Sequence, residues 1–306
     1  DNFGFTGVDF QTPIGGDALN VNGRSYRTTQ RYFALNTNQL LTYEKTIGDH
    51  RFDVLLGHEV KADKKTYLQA MKEQFLIPDN PELSNGAALK DATSYTSEYR
   101  LEGFFSRIQY DYKDRYYLTG SYRRDASSRF HPDNRWGNFW SVGASWRISE
   151  ESFLRDVKAI NTLKLKASYG TQGNDALGQY TVVPQDGAIG ITYDWRGNKD
   201  LTWEKSNNFN AGIEFGFWDI VSGNVEYFIK ETKDLLYYKS MPPSAGLPNI
   251  IAVNDMSMKN SGIEAEVEVK IINTNNIKWN VSANITKYKN EVTKLAEGKD
   301  PDGYYT

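Results

Sequence analysis

The sequence of 306 residues contains no cysteine, which excludes disulfide staples and thiolate chemistry. It contains no run of 18 apolar residues, so no helix of it can cross a membrane. Histidine is scarce. Of the three, His50 and His58 share strand parity but stand eight residues apart, about 26 Å along a strand, too far to hold one metal; His131 stands alone before Pro132. An enzyme needs a nucleophile, a base and an orienting group, and no GxSxG or HExxH motif occurs, which argues against catalysis. Asp300, Pro301, Asp302 and Gly303 look like half a calcium loop without its remaining ligands. A formal net charge of -3 gives nucleic-acid binding no support. No catalytic residue, metal or cofactor is expected.

What is present is aromatic content and alternation. Twenty tyrosines and seven tryptophans suit interfacial girdles, where an amphipathic ring sits between lipid and water. The stretch from Tyr117 to Trp146 organises the rest. Tyr116, Leu118, Gly120 and Tyr122 fall on one face, with Arg115, Tyr117, Thr119, Ser121 and Arg123 on the other. Beyond an arginine-rich crossing, Trp140, Val142, Ala144, Trp146 and Ile148 oppose Ser141, Gly143, Ser145, Arg147 and Ser149. A period of two sustained this long makes a sheet with one apolar and one polar face. About nine to eleven residues is what a tilted strand needs to cross a bilayer, and only alternate residues of such a strand meet lipid. A mean hydropathy of -0.63 is therefore compatible with a membrane barrel.

Along the chain, a strand is expected near Arg24 to Phe33, then a hairpin from Asn38 to Ile47 and Arg51 to Val60 about the turn Gly48-Asp49-His50. Residues 61 to 96 read as a long loop broken by Pro78 and Pro81, with a helical turn around Tyr67 to Phe75. Strands are expected from Tyr99 to Tyr112, 117 to 123, 139 to 148, 162 to 169, 209 to 217, 224 to 230, 263 to 271 and 279 to 286. Ser149 resembles a helix N-cap for the segment to Val157. Compact connections near 48 to 50, 113 to 114, 149 to 161, 218 to 223 and 273 to 277 alternate with long polar ones at 61 to 96, 124 to 135, 171 to 202 and 231 to 260. Short periplasmic turns and long external loops alternate in this way in outer-membrane barrels. Glu264, Glu266 and Glu268 share a face that must then meet water. Asp1 to Phe10 has neither the basic nor the apolar region of a secretory signal, and a segment of a longer polypeptide is expected.

Ordered phrases carry a resemblance: LTYEKTIGDHRFDVLLGHE from Leu41, LTGSYRRDASSRF from Leu118, WGNFWSVGASWRISEESFL from Trp136, LKLKASYGTQGN from Leu163, NKDLTWEKSNNFNAGIEF from Asn198, VEYFIKETKDLL from Val225 and MKNSGIEAEVEVKII from Met258. The sequence resembles the SusC/RagA-like TonB-dependent outer-membrane transporters of Bacteroidetes over nearly its whole length. The resemblance implies an all-β fold, a transmembrane antiparallel β-barrel of 22 strands, of which residues 1 to 306 would be a part lacking the plug domain, the TonB box and the terminal strands. It implies import of an oligosaccharide or peptide substrate with a SusD-like surface lipoprotein as lid, energised by the TonB-ExbB-ExbD complex, in the outer membrane, with a dimer of SusC-SusD pairs as the assembly.

For substrate contact, Asp186, Tyr193, Asp194, Trp195, Arg196 and Trp203 stand out in or beside the loop 171 to 202, because aromatic faces with carboxylates suit sugar rings. An ordinary loop with interfacial aromatics is the alternative. Arg123, Arg124, Asp125 and Arg129 read as a structural ion-pair network, with an anionic-substrate site as the alternative. A surface adhesion barrel and a passive diffusion porin are the rival functions.

Overall fold

The computed structural model describes residues 2–13, 16–176, 183–187, 190–195, 197–246 and 250–295. Strands dominate: β1 Asn2–Gln11, β2 Arg24–Ile47, β3 His50–Phe75, β4 Gly86–Tyr112, β5 Tyr116–Ser127, β6 Trp136–Arg147, β7 Ile160–Asn174, β8 Val183–Gly187, β9 Gly190–Trp195, β10 Glu204–Phe217, β11 Val221–Ser240, β12 Ile250–Asn273 and β13 Lys278–Lys294. Eleven of them form one sheet in chain order, and β8 with β9 forms a separate hairpin between β7 and β10. The chain divides into two compact units. One comprises Asp1–Thr37, Glu59–Glu102 and Gln185–Thr192; the other comprises Asn38–His58, Gly103–Pro184 and Tyr193–Thr306.

In the second unit the pairing register aligns like with like. Gly120 pairs with Val142, which pairs with Tyr169, which pairs with Phe209 and on to Ile229. One position along, Ser121 pairs with Ser141, Ser141 with Gly170 and Gly170 with Asn208. Apolar rows and polar rows thus alternate across strands, and Val142 is 50% exposed on the apolar face. Glu264, Glu266 and Glu268 share one face, opposite Glu226, Asn224 and Ser222 of β11.

The short connections lie at one end of the antiparallel meander. Lys113 and Asp114 have φ of 58° and 53°, and Trp218 and Asp219 of 49° and 55°, the paired left-handed residues of a tight hairpin. Gly48, with φ 57°, turns β2 into β3 without a Cβ to strain. Beside these turns His50, Tyr112, Tyr116 and Trp146 form a ladder of rings from β3 to β6, with centroids 4.7, 6.2 and 6.2 Å apart. The Tyr116 hydroxyl and the Trp146 indole N–H both donate to Glu151, and Arg115 lies 3.4 Å from it. The Tyr116 hydrogen bond, followed by that of Trp146, holds the Glu151 carboxyl below its ordinary pKa.

Several expectations are corrected. Residues 61 to 96 are mostly strand, and the connection is only 76 to 85, with no helical turn at 67 to 75. Strands with polar residues on both faces have no clear apolar alternation to read; cross-strand contacts replace it, such as Lys64 to Glu98 at 3.1 Å, Gln69 to Asp91 at 2.9 Å and the Tyr67–Tyr95 stack at 5.0 Å. The loop expected at 231 to 260 shrinks to 241 to 249, because a bulge between Thr232 and Leu236, with Asp234 at φ 54°, shifts the phase of β11 and hides its continuation. The two strands expected between Arg24 and Ile47 are one, and β1 precedes them. Ser149 caps no helix. The segment from Ile148 is one 3-10 turn followed by turns, with no side-chain cap bond, while Glu151 is drawn to the aromatic ladder.

Aromatic rings lie over glycines of their own and neighbouring strands. Phe139 covers Gly137 and Gly173, and Phe105 covers Gly57, so a Cβ at any of these would overlap a ring. Gly173→Val is expected to cost about 1–3 kcal/mol through overpacking, whereas Gly120→Ala, with nothing within 4 Å of the new methyl, is expected to be neutral or to gain about 0.5 kcal/mol; urea titration of the folded full-length barrel reads both. In the same assay Val142→Arg on the apolar face is expected to cost about 2–4 kcal/mol, and Ser141→Arg on the polar face far less. A depressed carboxyl contributes stability that is present above its unfolded pKa of about 4.3 and lost as pH falls through its lower folded value. Trp146 emission is therefore expected to titrate at a pH below the ordinary glutamate range, and Glu151→Gln to abolish that step.

Candidate functional site

The polar face of β5, β6, β7 and β10 carries a concavity of about 770 Å³. Small residues make it. Ser141, Gly143, Ser168 and Gly170 stand side by side where bulkier side chains would fill the space, and Thr119, Ser121, Gln172, Asn208 and Asn210 complete the wall. The chemistry is mainly hydroxyl and amide with the Phe139 ring at one end, and Arg123 and Asp125 are the charged groups among its described lining residues. Those two neutralise one another: the Arg123 Nε donates to both Asp125 carboxylate oxygens at 2.8 Å. The Ser121 and Ser141 hydroxyls pair at 2.6 Å. Asn208 Nδ2 is buried with no hydrogen-bond partner, an unmet donor of the kind that costs about 1–3 kcal/mol until something accepts it. Next along the same face, Lys166 pairs with Glu226 at 2.6 Å.

The end of this wall remote from the tight turns is closed by a packed nucleus of Phe130, Phe139, Leu201 and Trp203. Trp203 is 4% exposed, with its ring centroid 5.5 Å from Phe130 and 5.3 Å from Phe139, edge-on to the latter. Its indole N–H donates to the Arg135 carbonyl at 2.8 Å. This nucleus anchors the connection between β7 and β10 at both ends. At the start, Asp175 accepts from the Ser127 hydroxyl at 2.6 Å, and its carbonyl accepts from Arg129 at 3.0 Å. At the finish, Thr202 and Asn254 exchange two hydrogen bonds at 3.0 Å, and Asn198 donates to the Ala252 carbonyl at 2.9 Å.

The sequence-nominated residues separate accordingly. Asp186 lies on the β8 backbone and Tyr193, Asp194 and Trp195 on β9, the two strands of one hairpin inside that connection. Their side chains, together with Arg196, lie outside the described residues. Trp203 belongs to the buried nucleus. Of the expected network the structure shows the Arg123–Asp125 pair, while Arg129 lies 3.8 Å from Asp175 and Arg124 lies 4.8 Å over the Trp136 ring. His50 bonds Tyr110 and His58 bonds Gln39, both at 2.8 Å, and no group of three potential metal ligands occurs among the described residues. Asp300 to Gly303 lie outside them. Missed in the sequence were Asp175, whose role depends on a partner 48 residues away, and the serine–asparagine wall, which exists only once four strands are in register.

Comparison with known proteins gives the wall its context. Residues 1–305 match the family described as TonB dependent receptor-like, beta-barrel. The chain is 32% identical over 304 residues to the TonB-dependent receptor SusC of Bacteroides thetaiotaomicron, covering 93% of this chain and 30% of that protein. It is 32% identical over 311 residues to the TonB-dependent receptor P39 of Formosa agariphila, covering 97% and 29%. Among solved structures, the RagAB peptide importer in its closed-closed state superposes with a TM-score of 0.82 at 30% identity, covering 90% of this chain and 32% of that one. The chain thus spans about a third of the length of these relatives. With two-faced strands, alternating connections and a family match along its length, the chain belongs to the TonB-dependent receptor β-barrel family, as an outer-membrane protein of the SusC/RagA type.

Proposed function

We propose that the full protein is a TonB-dependent importer of oligosaccharides or peptides, in which this segment forms part of the channel wall. The observation that carries the proposal is a largely polar face, lined mainly by hydroxyl and amide groups with Phe139 at one end, backed by an apolar face in the same strands. Such a wall suits a hydrated lumen through which a polar solute passes. The names of the relatives, receptors and a peptide importer, support transport over catalysis. A SusD-like lipoprotein lid, the TonB-ExbB-ExbD complex as energy source and a dimer of such pairs belong to the same proposal. The hairpin connection from 175 to 203 contacts substrate at the outer end of the wall, with Asp186, Tyr193, Asp194, Trp195 and Arg196 as its contacting groups and Trp203 as its anchor.

Mutants of the native host lacking either this gene or TonB are expected to lose growth on the same oligosaccharide or peptide. Growth retained without TonB would favour a diffusion porin, which would also show steady conductance in a planar bilayer; binding without uptake would favour an adhesion barrel. In the importer, Trp195→Ala is expected to raise the half-saturating substrate concentration about tenfold, the loss of roughly 1.4 kcal/mol of binding.

A further inference from the structure

One row of the polar face carries donors that the sheet leaves without acceptors. Ser121, Ser141, Gly170, Asn208, Lys230 and Asn260 stand opposite one another in turn across β5, β6, β7, β10, β11 and β12. Residues directly opposite in an antiparallel pair share a face, with Cβ atoms about 4.5–5.5 Å apart. The Ser121 and Ser141 hydroxyls satisfy each other at 2.6 Å. Asn208 Nδ2 is buried and satisfied by nothing.

Its neighbours explain why. On one side stands Gly170, where a Cβ would come within 2.7 Å of the Ser141 Cβ, so no side chain fits there to accept a bond. On the other stands Lys230, whose ammonium group has three donors and no acceptor. Two residues back along β10, the Ser206 hydroxyl is taken by Thr232 at 3.0 Å.

Lys230 is equally unanswered. It is exposed and makes no ion pair among the described residues. Glu231, its neighbour in sequence, projects to the opposite face and lies 3.8 Å from Lys233. On its own face the carboxylates of β11 and β12, Glu226 and Glu264, stand four residues along from Lys230 and Asn260, about 13 Å. Glu226 is in any case engaged by Lys166 at 2.6 Å. Arg123, a cation of the adjoining concavity, is already neutralised by Asp125.

We infer that Asn208 and Lys230 form a carboxylate subsite on the polar wall, filled by an acidic group of a passing solute. One carboxylate presents two oxygens, one for each donor, and the bond to the ammonium group is charge-assisted. The inference rests on the transport reading and narrows its solute to an acidic one, an oligosaccharide bearing uronic acids or a peptide bearing aspartate or glutamate.

The test is calorimetric titration of the full-length protein, purified in detergent, with trigalacturonate and triglutamate, and with maltotriose and triglutamine as their uncharged counterparts. At low salt at least one acidic probe is expected to bind about tenfold more tightly than its counterpart, with the advantage shrinking as salt is added; the probe that does so assigns the solute to glycan or peptide. Lys230→Gln is expected to remove that advantage and Lys230→Arg to keep it. Asn208→Asp, which gives Lys230 a carboxylate of the protein's own, is expected to remove it as well. Equal binding of acidic and uncharged probes would overturn the inference. So would an advantage that survives both Lys230→Gln and Asn208→Asp, or no binding of either acidic probe, the result if a carboxylate from elsewhere in the full chain sits between the two donors. Growth without TonB alongside intact acidic binding would instead overturn the transport reading and leave the subsite standing.

Discussion

Backbone hydrogen bonding dictates this structure. Inside a bilayer no water is available to a peptide N–H or C=O, so a chain that crosses without helices must satisfy every such group against a neighbouring strand. The result is an eleven-stranded antiparallel meander in which sequence neighbours are spatial neighbours. Everything else follows from it: side chains alternate between two solvents, so each stretch that crosses the bilayer must be apolar on one face and polar on the other. The rows from Gly120 to Ile229 and from Ser121 to Asn208 are that requirement expressed across neighbouring strands.

Legibility in the sequence tracked the same physics. Where a strand separates lipid from water, as at Tyr116 to Arg123 or Ile263 to Ile271, period-two alternation revealed it, and the tight turns between such strands fell close to their expected places. Where both faces of a strand meet water, the alternation vanishes. Residues 61 to 75 and 86 to 96 consequently read as loop, although ion pairs and stacked tyrosines hold them in strands. The bulge at Thr232 to Leu236 concealed the rest of β11 differently, by shifting its phase.

The functional wall was legible only in part. Its polar character could be read strand by strand. Its concavity could not, because that depends on which small residues stand beside one another after pairing. Trp203 illustrates the converse: an aromatic residue at the end of a long connection looks equally suited to binding or packing, and only the rings of Phe130 and Phe139 around it decide which. The arginine cluster was better specified, since Arg123 and Asp125 stand two apart on one strand face, where a fork-like pairing is local.

The connection between β7 and β10 is tied at Asp175 and again from Asn198 to Trp203, while the β8–β9 hairpin lies between the ties. The ties draw their partners from β5, the β5–β6 connection and β12, none of which belongs to the insert itself. The insert is therefore a cassette: its length and composition can drift between related proteins at little cost to barrel assembly, so long as the two splice points keep their bonds. Change in the insert and upkeep of the wall are then separate problems for a single polypeptide.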